Sequence, residues 1–296
     1  MIYQPTAIPG DRTSLQKLPS WVTSGHAETP EDVAFLSGAA LNHLHLVLNR
    51  DEVPQTLLRA RLALCATEAC VKHQGRPERA SDLRDAVAFL QLGDRPGPAG
   101  EVYLSWRRAI ERPVSVDALH RALPESEPEQ IAMWLDAGQG APIARAAAVL
   151  HAVLADRPRD VAAAVILGDA ALAQALGWTQ VLPLLPLGLK RGDLRKSGEG
   201  LRLACHRAII AAVVEATRQA ANLLRRAARL REVAPKLRAK GSDKAVTLFL
   251  TEEAVAPTAL TSLRSDRAAR RFCDRLVELG AVRELTGRDT FRLYGL

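Results

Sequence analysis

Arg267, Arg270, Arg271 and Arg275 recur at three- and four-residue intervals near the carboxyl terminus, a spacing that lines side chains along one side of a helix. A guanidinium is permanently charged, forks toward phosphate oxygens and reads guanine edges, so the chemistry open to this stripe is nucleic-acid recognition. The groups capable of bond-making chemistry are scattered by comparison. Asp85, Glu101, His120, His151 and His206 stand at separations that bring together no acid, base and nucleophile or metal. His206, beside Arg207, is the best isolated candidate; a cleft there lined by two further ionisable groups would reopen an enzyme reading. His43 and His45 are two residues apart and point to different faces of a helix. Cys65, Cys70, Cys205 and Cys273 lack a C-x-x-C spacing and sit inside expected helices, where free cysteine behaves as a small apolar residue. No disulfide, metal site or cofactor is expected. Gly93–Gly100 is too rich in Pro and Gly for a helix, and without a following Gly-Lys-Ser/Thr it is no phosphate loop.

The elements that must position the arginines are helical. Apolar residues make up 48% of the 296-residue chain and aromatics only 4%, with Ala and Leu dominating, so the expected class is mainly α. The pattern predicts a multi-helix antiparallel bundle, a long connecting helix and a small C-terminal domain. Residues 1–28 read as an extended arm anchored by Trp21. Residues 29–241 read as an Ala-rich helical domain. Its helices are expected over about 30–48, 54–73, 80–90, 101–111, 115–123, 129–135, 141–154 and 160–176. Tyr103 and Trp106 should face the core. From about Glu199 the chain runs more than thirty residues without Pro or interior Gly, which predicts one long helix ended or kinked by Pro235.

Within the last 55 residues, helices are expected at 243–250, 257–263 and 266–279, then a hairpin of 282–285 with 291–294. At 100° per residue, Ala269, Phe272, Cys273, Leu276 and Leu279 share one face of the third helix; Arg267, Arg270, Arg271, Asp274 and Glu278 share the other. Gly280 supplies the helix stop. Phe291 and Leu293 are expected inward, Arg292 outward, and Arg288 at the hairpin tip within reach of a minor groove or a phosphate.

The runs Ser265-Asp266-Arg267-Ala268-Ala269 and Leu276 to Arg288 resemble the winged helix-turn-helix tails of bacterial regulators and of some Fic-type proteins. The His-Pro-Phe and Gly-Asn-Gly-Arg motif of Fic catalysis is absent, so no nucleotidyl transfer is implied. Over nearly its whole length the chain also resembles an uncharacterised bacterial family, domain of unknown function 1403. That resemblance rests on Leu83-Arg84-Asp85-Ala86, Pro96-Gly97-Pro98-Ala99-Gly100, Trp106-Arg107-Arg108, Leu176-Gly177-Trp178, Ala234 to Gly241 and the tail. Its members are common on plasmids and in mobile regions, sometimes beside a condensin-type accessory subunit, which implies a role near DNA maintenance.

Charge placement sharpens the expectation. The net charge is +7, and the segment 217–241 alone holds eight basic residues against Glu232. Arg225, Arg226, Arg229, Lys236, Arg238 and Lys240 in that segment can draw phosphates by counterion release; the bland alternative is a solvated helix face. The tail is nearly balanced, with nine basic residues and eight acids. Two readings follow. In the first, 242–296 binds double-stranded DNA through Arg267, Arg270, Arg271, Arg275 and Arg288, assisted by the basic helix, with no enzymatic role. In the second, the tail docks a protein partner and the body is a scaffold or adaptor. A homodimer would suit a regulator. The apolar runs fall short of the ~20 residues of a membrane span and no secretory leader is read at Met1, so a soluble, cytoplasmic protein is expected.

Overall fold

The computed structural model describes residues 14–24, 29–91, 93–237, 239–288 and 290–296. Most of the expected arm, residues 1–13 and 25–28, lies outside them. Thirteen α-helices and one two-stranded sheet are present among the described residues, so the chain is mainly α. In order they are α1 (Ser20–Ser24), α2 (Pro30–Leu48), α3 (Gln55–His73), α4 (Ala80–Ala88), α5 (Gly97–Glu111), α6 (Val116–Ala122), α7 (Pro128–Asp136), α8 (Pro142–Asp156), α9 (Val161–Ala175), α10 (Leu185–Gly188), α11 (Gly198–Val233), α12 (Ser242–Thr251) and α13 (Asp266–Glu278). The strands are β1 (Arg283–Glu284) and β2 (Tyr294–Gly295).

The starts follow local chemistry. Thr29 Oγ1 accepts from Asp32 N at 3.1 Å and Asp32 returns the bond to Thr29 N at 3.0 Å, so α2 opens with a reciprocal cap and Pro30 at its first position. Ser115, Asp160 and Ser265 cap α6, α9 and α13 by accepting from Ala118 N, Ala163 N and Ala268 N. Helix α11 spans 36 residues, about 54 Å at ~1.5 Å per residue, and stops before a 3-10 turn that contains Pro235.

Three expectations are corrected. Helix α5 begins at Gly97 inside the Pro/Gly run: Pro98 needs no amide partner in a first turn, and a Cβ on Gly100 would stand 2.5 Å from Pro96 Cβ, so the composition that looked like a loop builds a tight helix start. The arm contains a short helix, α1, whose buried residue is Val22. Trp21 stays about half exposed and stacks on Phe35 with ring centroids 5.7 Å apart. The expected helix at 257–263 is only a 3-10 turn, Pro257–Ala259.

The chain divides into two compact units. One comprises Pro19–Leu44 and Arg59–Ala216. The other comprises His45–Leu58, Thr217–Leu296 and the described residues up to Leu18, so the tail shares its unit with Thr217–Val233, about the second half of α11. In the larger unit α9 is the central helix, with every residue from Ala162 to Ala173 buried and α8 packed along it. A helix apolar all round is a core helix. Its one ionisable residue, Asp169, accepts from Leu184 N at 2.9 Å and Leu185 N at 3.0 Å, which caps α10. Leu64, Val71, Leu83, Val87, Ala99 and Tyr103 form a further apolar cluster between α3, α4 and α5, and Trp106 is fully buried.

Candidate nucleic-acid interface

In the tail, α12 is followed by an extended residue, Val255, which exchanges both backbone hydrogen bonds with Tyr294 of β2 (2.8 and 2.9 Å). The Pro257–Ala259 turn, α13 and the β1–β2 hairpin follow. The order is thus helix, one-residue bridge, turn, helix, hairpin, and the bridge pairs with β2. Gly241 and Ser262 bring the start of α12 against the turn before α13: Ser262 Oγ donates to Gly241 O at 2.9 Å. Gly241 has φ 90°, and a Cβ there would fall 2.2 Å from Ser262 O.

Helix α13 is divided as its periodicity requires. Ala269, Phe272, Cys273 and Leu276 are buried, while Arg267, Arg270, Arg271, Asp274, Arg275 and Glu278 are exposed. Arg267, Arg270 and Arg271 make no ion pair among the described residues. Arg275 pairs with Glu278 at 2.9 Å. Gly280 follows the helix with φ 65°.

The basic segment is partly committed to structure. Arg229 donates to Glu232 at 2.9 Å and to the backbone carbonyl of Leu279 at 3.0 Å, Lys236 stands 4.0 Å from Glu232, and Arg226 donates to Asn222 at 3.0 Å. Arg229 beside it holds the Glu232 carboxyl below its ordinary range. Arg225 and Lys240 are exposed and make no ion pair among the described residues. Arg238 lies outside the described residues. Arg231, one of the eight basic residues of the segment, donates to Glu52 O at 3.0 Å.

The hairpin corrects one expectation. Leu293 is buried and Arg292 exposed, but Phe291 is 74% exposed. Its φ of 56° breaks the alternation that would have turned it inward. Arg288 at the tip is exposed.

The scattered candidates for catalysis stay apart. Asp85 pairs with Arg84 at 2.6 Å, His120 Nδ1 donates to Ser126 O at 2.8 Å, and Glu101 and His151 are exposed. Burial pushes the Cys70, Cys205 and Cys273 thiols up to about 12, which removes their nucleophilic form at neutral pH. His206 does line a cleft of about 280 Å³ together with Glu31, Glu199 and Arg202, so the ionisable neighbours that an enzyme reading requires are present. Ser37 is fully buried, with its Oγ 2.9 Å from Ala34 O and 2.7 Å from His206 Nδ1. Burial first, then Arg202, lowers the His206 pKa. Arg202 is occupied by Glu199 at 3.4 Å. No described helix is long and apolar enough to cross a membrane.

No curated protein matches the chain. A family model described as a protein of unknown function (DUF1403) matches residues 6–296, and the chain belongs to that family.

Proposed function

We propose that residues 242–296 are a winged helix-turn-helix that sets α13 into the major groove of duplex DNA, and that the protein is a non-enzymatic DNA-binding factor of plasmid or mobile-element maintenance or regulation. The carrying observation is the exposed face of α13, where Arg267, Arg270 and Arg271 stand without an ion pair among the described residues. The arginines occupy the amino-terminal half of the helix, the half that meets base edges in helix-turn-helix docking. The order helix, bridge, turn, helix, hairpin, with Val255 joined to Tyr294, supports the same reading. Arg225 and Lys240 are the basic groups of the preceding segment best placed to add phosphate attraction.

Binding of the full chain to labelled plasmid fragments across a salt series is the test. Each neutralised phosphate contributes roughly 0.9 to the slope of log affinity against log salt. The triple substitution of Arg267, Arg270 and Arg271 by Ala should lower affinity at every salt concentration and flatten the slope. Absence of binding at low salt, or a triple variant that binds like the wild type, defeats the proposal.

A second reading has its own support. Val277, 38% exposed, lies among the exposed residues of α13 between Asp274 and Glu278, and the tail is nearly charge-balanced. A helix surface of that make-up suits a protein partner, with the helical body as scaffold or adaptor in a DNA-associated assembly. Co-purification that survives high salt and is lost on Val277→Glu, with no DNA retention, would favour it.

A further inference from the structure

The hairpin tip holds an aromatic ring in solvent. Phe291 is the most exposed of the large apolar side chains among the described residues, at 74%, while Leu293 and Tyr294 just beyond it are buried. Its left-handed backbone, φ 56°, is the only such conformation outside glycine among the described residues. That region is disfavoured for a bulky side chain, and backbone outliers of this kind concentrate at binding sites.

Described residues before and after the ring are hydrogen-bonded. The Glu284 carboxylate accepts from Thr286 N at 2.8 Å, from the Thr286 hydroxyl and from Gly287 N at 2.9 Å. Desolvation alone would raise its pKa, and these bonds hold it below the ordinary range instead. Arg292 Nε donates to Arg288 O at 3.0 Å and closes the other side. Leu285 N donates to Leu293 O at 2.8 Å at the base of the hairpin. The ring is thus flanked in sequence by two exposed guanidinium side chains, Arg288 and Arg292, the latter also bonded to the Tyr294 side chain.

We infer that Phe291 is a wedge that stacks on bases of the DNA held by α13 and unstacks one step beside the main contact, with Arg288 and Arg292 on the flanking phosphates. This rests on the DNA reading above. Every base offers a π-face, so stacking tolerates sequence, and apolar wedges at the minor groove kink duplexes by partial unstacking. The arginines supply the charge that a lone aromatic residue lacks.

The experiment uses full-length protein and short duplexes carrying 2-aminopurine at successive positions, whose fluorescence rises when the base unstacks. Wild-type protein should give a rise confined to one or two adjacent positions. Phe291→Ala should abolish the rise and weaken binding on the order of tenfold, the size of one base–aromatic stack. Phe291→Trp should retain both signals. Wild-type protein that binds duplex without a fluorescence change, or Phe291→Ala that behaves as wild type, overturns the wedge and leaves the DNA reading standing. Wild-type protein that binds no duplex at low salt overturns both.

Discussion

Arg229 donates through Nη2 to the backbone carbonyl of Leu279 at 3.0 Å, fifty residues away in sequence. A cation at the end of a helix meets carbonyls that have no intrahelical partner and the negative end of the macrodipole. The bond therefore fastens the carboxyl end of α13 to α11, and a residue expected to attract phosphate is committed to holding the arginine helix. Arg229→Ala should cost about 1 kcal/mol. Amide exchange in residues 276–282 should quicken while α8 and α9 keep their protection. Uniform quickening across the chain would contradict this local role.

The division of labour between the two basic regions can be separated by salt and sequence. Arg225→Ala with Lys240→Ala removes two exposed cations outside α13 and should weaken binding of all duplexes alike, with the salt slope reduced by about two. Arg270→Ala, on the proposed groove face, should change the ranking of duplex sequences as well as the affinity, by about 1–3 kcal/mol at a contacted base pair. A selection from random duplexes with both variants measures this; equal rankings for wild type and Arg270→Ala would remove α13 from base readout.

Part of this architecture could be read in the chain and part could not, for physical reasons. The two faces of α13 follow from 3.6-residue periodicity, and the Thr29–Asp32 and Ser265 caps follow from residue type and spacing. A strand one residue long has no period, so the Val255–Tyr294 bridge left no pattern. Gly97 and Pro98 carry loop signals that also suit a first helical turn. The outward turn of Phe291 depends on one backbone angle. Ser37 and His206 meet across 169 positions, and Asp169 finds its partners 15 and 16 residues on; composition encodes neither pairing.

Gly241 gives a sharper test of how the tail is built. Its φ of 90°, and the 2.2 Å that would separate a Cβ there from Ser262 O, both oppose any side chain. Gly241→Ala should cost at least about 2 kcal/mol, the left-handed penalty plus displacement of a backbone oxygen. Gly287→Ala, at φ 63° with open space around it, carries only the conformational part, about 1 kcal/mol. Chemical denaturation of the two variants should rank them in that order, and a reversed ranking would mean that the α12 start and the turn separate freely.

Asp169 sets a pH dependence in the larger unit. Burial pushes its carboxyl up to about 8, against the pull of the Leu184 and Leu185 amides toward the charged form. The folded chain then binds a proton that the unfolded chain, with a carboxyl near 3.8, has lost. Stability from this group is complete below about 4 and is lost as pH rises through about 8. His206, His73 and His43 act in the opposite direction, because burial lowers all three below the ordinary 6.5. Their contribution is present above 6.5 and is lost as pH falls through their depressed values. Asp169→Asn keeps one acceptor for the α10 cap and removes the titrating group. The thermal midpoint of wild type minus that of Asp169→Asn should therefore fall between about pH 4 and 8, while the acid-side decline below 6.5 persists in both. A constant difference across that range would show that Asp169 is ionised in the fold and that its two backbone donors outweigh its burial.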